Sequence, residues 1–498
     1  MTGTTAHGVY TAGRGPADEP YALLHETHTG LVVLCGDRAY KVKKPIVTDF
    51  LDFGTRARRV EAMERELQLN RRLAPDVYLG IGQFHGLGAE PDEPVLMMRR
   101  LPGHTRLSTL IDDPAKATEL LPVLVETLAG FHDTARRSAD AAAAATVDAL
   151  RERWKSLLDG LTEPPVPAAT TEQLARLVDR YLAGRAPLFE DRIAGDRVID
   201  GHGDLHAGDI YMLPDGFRII DCLDFDDRLR CVDRLDDIAF LAMDLEFLGH
   251  PRLATEFGDL YRARTADPAP PSLWHHYLAY RAIVRAKVNC LRYEQSDPQA
   301  AAHADHHIAI AARHLRAGAV RLALVGGLPG TGKSTVARAL AEITGAAVLS
   351  TDHIRTGLRA TGAVTGAAGS YDRGAYTFEA RDRVYRELLT LAREHLVHGR
   401  DVILDASWLD AGHRRAALDL ATETSSEIIQ LQCRAPQSIA AARIEARGHS
   451  ESDATAAVAA ALAAEAPPWP EAIPLDTTGP LPDCTSRAEL AWAVAADR

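Results

Sequence analysis

Residues 321–334 read RLALVGGLPGTGKS, and this stretch decides the fold of the C-terminal part of the chain. Its apolar first part, 321–325, is typical of a buried strand. The segment from Gly327 to Ser334 matches the pattern G-x-x-x-x-G-K-[ST] at every position, and a helix is predicted to follow over 334–341. Glycines there let backbone N–H groups converge on phosphate oxygens at the positive end of the helix dipole. The stretch therefore predicts a nucleoside-triphosphate-binding loop.

The side chains of this loop have separate predicted roles. Lys333 is expected to reach the β- and γ-phosphates, and the Ser334 hydroxyl is placed to hold Mg²⁺. We therefore expect ATP and Mg²⁺ as cofactors. The predicted binding set is Gly327, Gly330, Thr331, Gly332, Lys333, Ser334 and Thr335.

Short apolar runs at 347–350 and 402–404 alternate with predicted helices, which indicates a parallel α/β sheet. Asp405 ends the second of these strands, and a carboxylate in that place is suited to the Mg²⁺ site. The next residue is Ala406, where hydrolytic motors typically have a glutamate that activates water. This combination favours phosphoryl transfer to a bound acceptor over mechanical ATP hydrolysis.

Other polar groups complete the predicted C-terminal site. Asp352 follows the strand at 347–350, and its carboxylate is suited to orient or deprotonate an acceptor hydroxyl, with capping of the next helix as the alternative. Arg355 is suited to neutralise an anionic group. Arg443 and Arg447 share one face of a predicted helix, either as a lid over the triphosphate or as a solvated face.

These residues, with the VILDA run at 402–406 and Ser452-Asp453-Ala454, make residues 320–498 resemble the small P-loop kinases related to gluconate kinase, zeta toxins and bacterial polynucleotide kinase. The resemblance implies that Asp352 is the acceptor base and that Arg443 and Arg447 are lid arginines. It leaves the acceptor open, because that group of kinases acts on sugars, antibiotics and nucleic-acid ends.

The N-terminal part begins with a predicted β-hairpin, in which 31–35 and 38–43 flank Gly36-Asp37. Lys41 on the second strand is suited to pair with the α- and β-phosphates, and Lys43 on the same strand face is its rival. Glu66 on the following helix is suited to hold the lysine, with a solvated charged face as the alternative. Met98 precedes Leu101-Pro102-Gly103 in a predicted hinge against the adenine.

A second group of acids follows the run His202-Gly203-Asp204-Leu205-His206. Asp204 and Asp221 each follow a predicted strand, and we expect the two strands to form a short hairpin. That arrangement offers one carboxylate to an acceptor hydroxyl and one to Mg²⁺. Asp224 is a rival of Asp221 for the metal, and His202 is read as a loop residue that orients Asp204.

Residues 21–315 resemble the aminoglycoside phosphotransferase family, whose fold is similar to that of protein kinases. The features that carry this resemblance are the ordered Lys41, Glu66 and Asp204 motifs and the segment 232–239, VDRLDDIA. It implies that Asp204 is the catalytic aspartate, that Asp221 holds the metal and that Lys41 with Glu66 holds the phosphates. The family usually has asparagine as a second Mg²⁺ ligand at the position of Asp209.

The two resemblances together predict an α/β and α+β chain. We expect a flexible tail (1–20), a two-lobed protein-kinase-like fold (N-lobe 21–100, helical C-lobe 101–318) and a parallel-sheet P-loop kinase domain (319–498). Bacterial chains that join two such domains are often labelled only as ATPases. A basic face of Arg281, Arg285 and Arg292 is read as an ordinary surface or as an interdomain salt-bridge face, with an anionic acceptor as the other possibility.

Composition limits the remaining function classes. The 498 residues carry a net charge of -13, which argues against nucleic acid as a partner. With neither a signal peptide nor a membrane span indicated, we expect a cytoplasmic protein of undetermined oligomeric state.

The sequence therefore predicts a bifunctional phosphotransferase that acts on hydroxyl groups of small molecules. Two alternatives remain. One is a nucleotide-sensing regulatory protein with a pseudokinase N-terminal half, and the other is a nucleic-acid end kinase.

Overall fold

The computed structural model describes residues 20–26, 29–47, 52–85, 92–361, 377–446, 459, 462–463 and 467–495. The chain divides into two compact units. The first unit is drawn from Met1–Ala149, Arg192–Pro268 and Tyr280–Arg285, and the second from Leu150–Asp191, Ala269–Ala279 and Ala286–Arg498. The domain limits given above from the sequence remain a prediction.

Strands of both units are numbered together in chain order. They are β1 (Ala22–Glu26), β2 (Gly30–Cys35), β3 (Arg38–Lys43), β4 (Tyr78–Phe84), β5 (Glu93–Arg99), β6 (Val198–Asp200), β7 (Ile210–Leu213), β8 (Gly216–Ile219), β9 (Cys231–Asp233), β10 (Arg321–Gly326), β11 (Ala347–Ser350), β12 (Val402–Asp405), β13 (Glu427–Arg434) and β14 (Ile473–Asp476).

The helices are numbered in the same way. They are α1 (Arg56–Asn70), α2 (Leu107–Leu110), α3 (Pro114–Thr134), α4 (Ala139–Ala144), α5 (Val147–Leu158), α6 (Ala168–Ala183), α7 (Ala186–Ala194), α8 (Asp227–Arg230), α9 (Arg234–Phe247), α10 (Pro251–Thr265), α11 (Pro271–Glu294), α12 (Gln299–Ala317), α13 (Lys333–Thr344), α14 (Thr351–Ala360), α15 (Phe378–Val397), α16 (Ala411–Glu423), α17 (Gln437–Glu445) and α18 (Leu481–Ala495).

The first unit contains an antiparallel sheet in the order β1-β2-β3-β5-β4. The predicted hairpin of β2 and β3 is confirmed, and Gly36 turns it with a φ of 59°. The predicted helix after it is also confirmed as α1, which begins where the Thr55 side chain accepts a hydrogen bond from the Arg58 amide. Met63 of α1 packs with Tyr78 and Leu96 of the sheet in one core cluster, and this packing fixes the face of α1 that carries Glu66.

The strands around His202 pair differently from our expectation. β6, which precedes His202, pairs with β9, whereas β8, which precedes Asp221, pairs with β7. The predicted hairpin between the Asp204 and Asp221 strands is therefore wrong. Residues 210–213 form a separate strand, β7, and a turn at Leu213–Gly216 joins it directly to β8. β8 therefore pairs with β7 and not with β6.

The second unit contains a parallel sheet in the order β11-β12-β10-β13-β14. The strands predicted before the glycine loop, at 347–350 and at 402–404 are confirmed as β10, β11 and β12. All residues of β10 are buried, which agrees with its central position and its unbroken apolar run. Ser350 and Asp405 are partners in register, so their strands end at the same edge of the sheet.

The helical stretch predicted over 277–315 is two helices, α11 and α12, with a break at residues 295–298. Among the described residues, no helix combines the length and the apolar character that crossing a membrane requires.

Candidate active sites

Five side chains of alternating charge form a ladder in the first unit. Its lysines lie on β3, its glutamate lies on α1, and its two aspartates follow β8. Lys41 Nζ lies 2.7 Å from Glu66 Oε1 and 2.9 Å from Asp221 Oδ1. Lys43 Nζ lies 2.9 Å from Glu66 Oε2 and 2.9 Å from Asp224 Oδ2. Glu66 therefore binds both lysines. Its contacts do not distinguish Lys41 from Lys43. Each lysine also has its own aspartate, with Asp221 on Lys41 and Asp224 on Lys43.

Burial and charge act against each other in this ladder. Burial opposes ionisation of Glu66, but the charges of Lys41 and Lys43 prevail and lower its pKa to about 2. The pKa of Lys41 lies well above its usual range, because Asp221 and Glu66 outweigh the desolvation of the ammonium. Burial raises the pKa of Asp224, with Lys43 opposing it. The lysines and Glu66 are therefore charged near neutral pH.

Asp204 is connected to a second chain of polar groups. Its Oδ1 lies 2.8 Å from His206 Nε2, and Arg285 Nη1 lies 3.3 Å from the same nitrogen. Burial opposes the charge on both partners, yet their mutual attraction lowers the pKa of Asp204 to about 2 and raises the pKa of His206 to about 9. Asp244 Oδ2 accepts a hydrogen bond from the Ala207 amide at 2.8 Å, and Oδ1 lies 3.7 Å from His206 Nδ1.

The backbone before Asp204 is fixed by a buried carboxylate. Asp237 on α9 accepts hydrogen bonds from the amides of His202 and Gly203, at 2.8 and 2.7 Å. His132 of α3 lies 3.0 Å from Asp237 in turn. Burial opposes ionisation, but these hydrogen bonds, led by that of His132, hold the pKa of Asp237 well below its usual range. His202 Nδ1 accepts the Asp204 amide at 3.4 Å, which agrees with its predicted orienting role.

Asp209 and Asp221 are close enough to repel each other. Burial, reinforced by the charge of Asp221, raises the pKa of Asp209 to about 7. The Asp221 backbone has a φ of 61°, and its amide donates to the Tyr78 hydroxyl at 3.2 Å. Two crowded carboxylates with hard oxygen donors fit Mg²⁺, which would relieve their repulsion. Asp224 is held by Lys43 as Asp221 is by Lys41, so the preference for Asp221 as the metal ligand rests on its nearness to Asp209.

The glycine loop of the second unit has the backbone that its sequence demands. Gly327, Gly330 and Gly332 have φ values of 143°, 80° and 86°, which L side chains rarely adopt. A Cβ on Gly330 would also lie 2.4 Å from the carbonyl oxygen of Ala440. Thr331 Oγ1 donates to the Leu328 carbonyl at 2.7 Å and closes the turn. The loop then enters α13 at Lys333, followed by Ser334 and Thr335.

Asp405 ends β12 beside this loop. It is 5% exposed, and its Oδ1 is buried with no hydrogen-bond partner among the described residues. Burial raises the pKa of Asp405, while the charge of Lys333 and a hydrogen bond from Ser334 oppose that shift. A buried carboxylate oxygen without a partner beside a serine hydroxyl fits a Mg²⁺ ion, which would compensate its desolvation.

Asp352 and Arg355 lie together on α14. Arg355 Nη1 lies 2.5 Å from Asp352 Oδ1, one turn away on the same helix. The Asp352 amide donates to Ser350 Oγ, so Ser350 is the N-cap and the alternative reading of Asp352 as the cap is wrong. Tyr385 lies near this pair, and its hydroxyl lies 3.2 Å from Ser407 Oγ. These side chains offer an acceptor both charge and hydrogen-bonding groups.

Arg443 of α17 reaches the glycine loop. Its Nη2 donates to the Thr477 carbonyl at 2.6 Å, and the Thr477 hydroxyl donates to the Thr331 carbonyl at 2.7 Å. Its Nη1 would lie 3.7 Å from a Cβ on Gly332. Arg447 and the Ser452-Asp453-Ala454 run lie outside the described residues.

Several groups differ from their sequence-based interpretation or were missed by it. Met98 is 8% exposed in the core of the first unit, and its contact with adenine remains a prediction. Arg281 is no surface residue, because it is 3% exposed and its Nε donates to Asp236 Oδ1 at 2.7 Å.

His206 and Asp237 were missed as site residues, although both lie inside motifs that the sequence analysis used. Their partners are distant in sequence, and only the fold brings them together.

Two family models match the chain, over separate ranges of residues. The family model described as "Phosphotransferase enzyme family" matches residues 36–274, and the model described as "AAA domain" matches residues 322–467. These matches and the five-stranded parallel sheet confirm the predicted fold class, with a kinase-like domain followed by a P-loop kinase domain.

Among solved structures, a choline/ethanolamine kinase family protein from Mesorhizobium loti is 15% identical, with a TM-score of 0.36, over 60% of this chain and 92% of its own. A sugar kinase from Janibacter is 19% identical, with a TM-score of 0.29, over 36% of this chain and 97% of its own.

Whole-length relatives are found in mycobacteria. Uncharacterized proteins of Mycobacterium bovis and Mycobacterium tuberculosis are 44% identical over 478 residues, which cover 95% of this chain and 96% of each relative. The chain therefore belongs to the same family as these mycobacterial proteins, and it joins a phosphotransferase enzyme family domain to an AAA domain of the P-loop kinase type.

Proposed function

We propose that the chain is a bifunctional cytoplasmic phosphotransferase that moves the γ-phosphoryl group of Mg-ATP to hydroxyl groups of small molecules at two separate sites. One observation carries this proposal. Each unit contains a lysine suited to phosphates, a crowded or buried carboxylate suited to Mg²⁺, and a further carboxylate suited to an acceptor hydroxyl. These are the three parts that phosphoryl transfer needs, because its catalysis consists mostly of positioning and charge neutralisation.

In the first unit, Lys41 held by Glu66 would bind the phosphates, and Asp221 with Asp209 would hold Mg²⁺. Asp204 would orient the acceptor hydroxyl and receive its proton. A carboxylate with a pKa of about 2 is a weak base, so its main contribution is to hold the hydroxyl for an in-line approach. His206, positively charged below about pH 9, keeps Asp204 ionised for that role.

In the second unit, the glycine loop with Lys333 and Thr335 would cradle the phosphates, and Ser334 with Asp405 would hold Mg²⁺. Asp352 would orient the acceptor hydroxyl, and Arg355 would both fix Asp352 and bind an anionic group of the acceptor. Arg443, and by resemblance Arg447, would cover the triphosphate. Bound Mg-ATP supplies the transferred phosphoryl group and part of the charge neutralisation.

The test is acceptor-dependent ADP release over a panel of sugars, polyols and amino alcohols. Asp204→Ala should abolish turnover for one set of acceptors and Lys333→Ala for another, and the double variant should abolish both. Asp215→Ala and Lys116→Ala are matched controls, because these exposed residues lie away from the sites and should leave turnover unchanged. Full turnover in the double variant would refute the proposal.

A regulatory protein is the second candidate, and the extra negative charge of Asp209, where the resembled family usually has asparagine, favours it. If that charge prevents productive metal binding, the first unit binds a ligand without transferring phosphate. Asp204→Ala would then leave every turnover unchanged while Lys333→Ala abolishes all of it.

A further inference from the structure

An open cavity of about 910 Å³ lies beside α1 in the first unit. One wall is formed by Arg65 of α1 and by Arg72, two residues beyond the end of that helix, and the opposite wall is the end of α3 with Gly130 and Phe131. Arg136, in the segment after α3, completes the rim. None of these residues has a role in the phosphotransfer sites described above.

The walls of the cavity are rich in arginine. Asp200 pairs with Arg72, Arg136 and Arg230, at 3.3, 3.6 and 2.5 Å. Asp227 pairs with Arg65 and Arg230, at 2.7 and 2.9 Å. The four guanidinium groups outnumber the two carboxylates, so this network has an excess of positive charge in a chain whose net charge is -13. The side chain of Arg136 is 66% exposed and is the most accessible of the arginines.

The floor of the cavity has room for a ligand. A Cβ added to Gly130 would meet no atom within 4 Å, which leaves this part of α3 open. Phe131 lies beneath the Arg72 guanidinium, 5.0 Å from ring centroid to carbon, so the arginine is supported from one side. Planar guanidinium groups are matched to phosphate oxygens, which they bind in pairs.

We propose that this cavity is an effector site for a small phosphorylated anion. Such a ligand would bridge Arg65 of α1 and Arg72, just after the end of that helix, to Arg136 beyond α3. Arg72 already donates to the carbonyls of Asp200 and Gly201, the residues directly before His202. Because Glu66 lies next to Arg65 in sequence, a ligand that fixes α1 also fixes the carboxylate that holds Lys41 and Lys43. The effector would thus stabilise the arrangement of the ladder.

The test is calorimetric titration of the full chain with inorganic pyrophosphate in the absence of Mg²⁺. The background variant Lys41→Met/Lys333→Ala weakens the two predicted nucleotide sites, so that the cavity dominates the signal.

In this background, Gly130→Trp fills the cavity and Gly130→Ala is its matched control at the same position. Arg136→Ala removes the exposed guanidinium, and Arg252→Ala is a control at an exposed arginine on α10. Acetate at equal ionic strength tests general attraction of anions.

We expect one pyrophosphate per chain. Gly130→Trp and Arg136→Ala should each weaken its binding at least about tenfold, while Gly130→Ala and Arg252→Ala stay within about twofold. Pyrophosphate should also slow amide hydrogen exchange in α1. If Gly130→Trp fails to fold, Arg136→Ala still decides the matter. Absent binding, equal binding in all variants, or equal competition by acetate would overturn the proposal. This outcome is independent of whether Asp204 transfers phosphate.

Discussion

The two candidate sites, for which we propose the same chemistry, are built in different ways. In the first unit, side-chain charges dominate, and Lys41, Lys43 and Glu66 neutralise one another together with Asp221 and Asp224. In the second unit, the loop conformation is set by glycines, and Asp405 keeps a buried oxygen without a hydrogen-bond partner in the part of the chain that the structure describes. If the first site binds nucleotide as proposed, its ion pairs must exchange partners, because Lys41 and Asp221 now hold each other. The second has its backbone already arranged.

The largest expected effect concerns the two lysines of the ladder. Lys41→Met should lower kcat/KM of the N-terminal reaction by roughly 10²–10³-fold, because it removes a charge that faces the phosphates. Lys43→Met should cost less than about tenfold, since Lys41 still holds Glu66. Steady-state kinetics with an acceptor of the Asp204-dependent set measures both. Equal losses would contradict the assignment of Lys41 as the phosphate lysine.

A smaller loss is expected when the glycine loop is strained. Gly330→Ala combines a φ of 80° with a Cβ that lies 2.4 Å from the Ala440 carbonyl oxygen. ATP affinity of the second unit should fall by about 10–100-fold, which corresponds to a strain of about 1–3 kcal/mol. Gly345→Ala is the matched control, with a φ of 71° and nothing within 4 Å of its Cβ. If both variants bind ATP alike, the contact with Ala440 is irrelevant.

Asp209→Asn tests the crowding of carboxylates in the first unit. The folded pKa of about 7 lies above the unfolded value of about 4, so the native state binds more protons between these values. The contribution of Asp209 to wild-type stability in EDTA should therefore fall as pH rises from 4 to 7 and then level off. Above pH 7 the variant should be more stable by on the order of 2 kcal/mol, as measured by urea unfolding. A difference that does not change with pH would contradict this account.

Asp405→Asn gives the smallest expected stability change. Because burial raises the pKa of Asp405, its ionisation destabilises the metal-free protein above the unfolded pKa of about 4. In EDTA at pH 8 the variant should gain about 1 kcal/mol, and it should lose most of the stabilisation that Mg-ATP gives the wild type. Asp401→Asn is the control, because that half-buried carboxylate accepts a hydrogen bond from the Arg321 amide at 2.7 Å, and its Mg-ATP response should be unchanged.

The sequence predicted structure best in the segments whose conformation is determined by neighbouring residues. The glycine loop, β10 and α13 follow one another directly, so a single motif specifies the strand, the turn and the helix. The β2–β3 hairpin was predicted for the same reason, from its Gly-Asp turn, and the helix that follows it was predicted as well. In these segments the local pattern and the final fold agree.

What the sequence did not predict depends on contacts between distant residues. The pairing of β6 with β9 joins Val198 to Asp233, and the support of the His202 loop comes from Asp237. The sharing of Glu66 between Lys41 and Lys43 requires the packing of α1 against the sheet. β13 and β14 were missed as well, because β13 lies among polar residues and β14 is short and contains Pro474.

The central claim is that one chain holds two independent ATP sites, and equilibrium binding of a non-hydrolysable ATP analogue with Mg²⁺ tests it most directly. We predict two analogue molecules per wild-type chain, one per chain in Lys41→Met, one in Lys333→Ala, and none in the double variant at the same concentrations. A stoichiometry of one for the wild type, lost entirely on Lys333→Ala and unchanged by Lys41→Met, would contradict it.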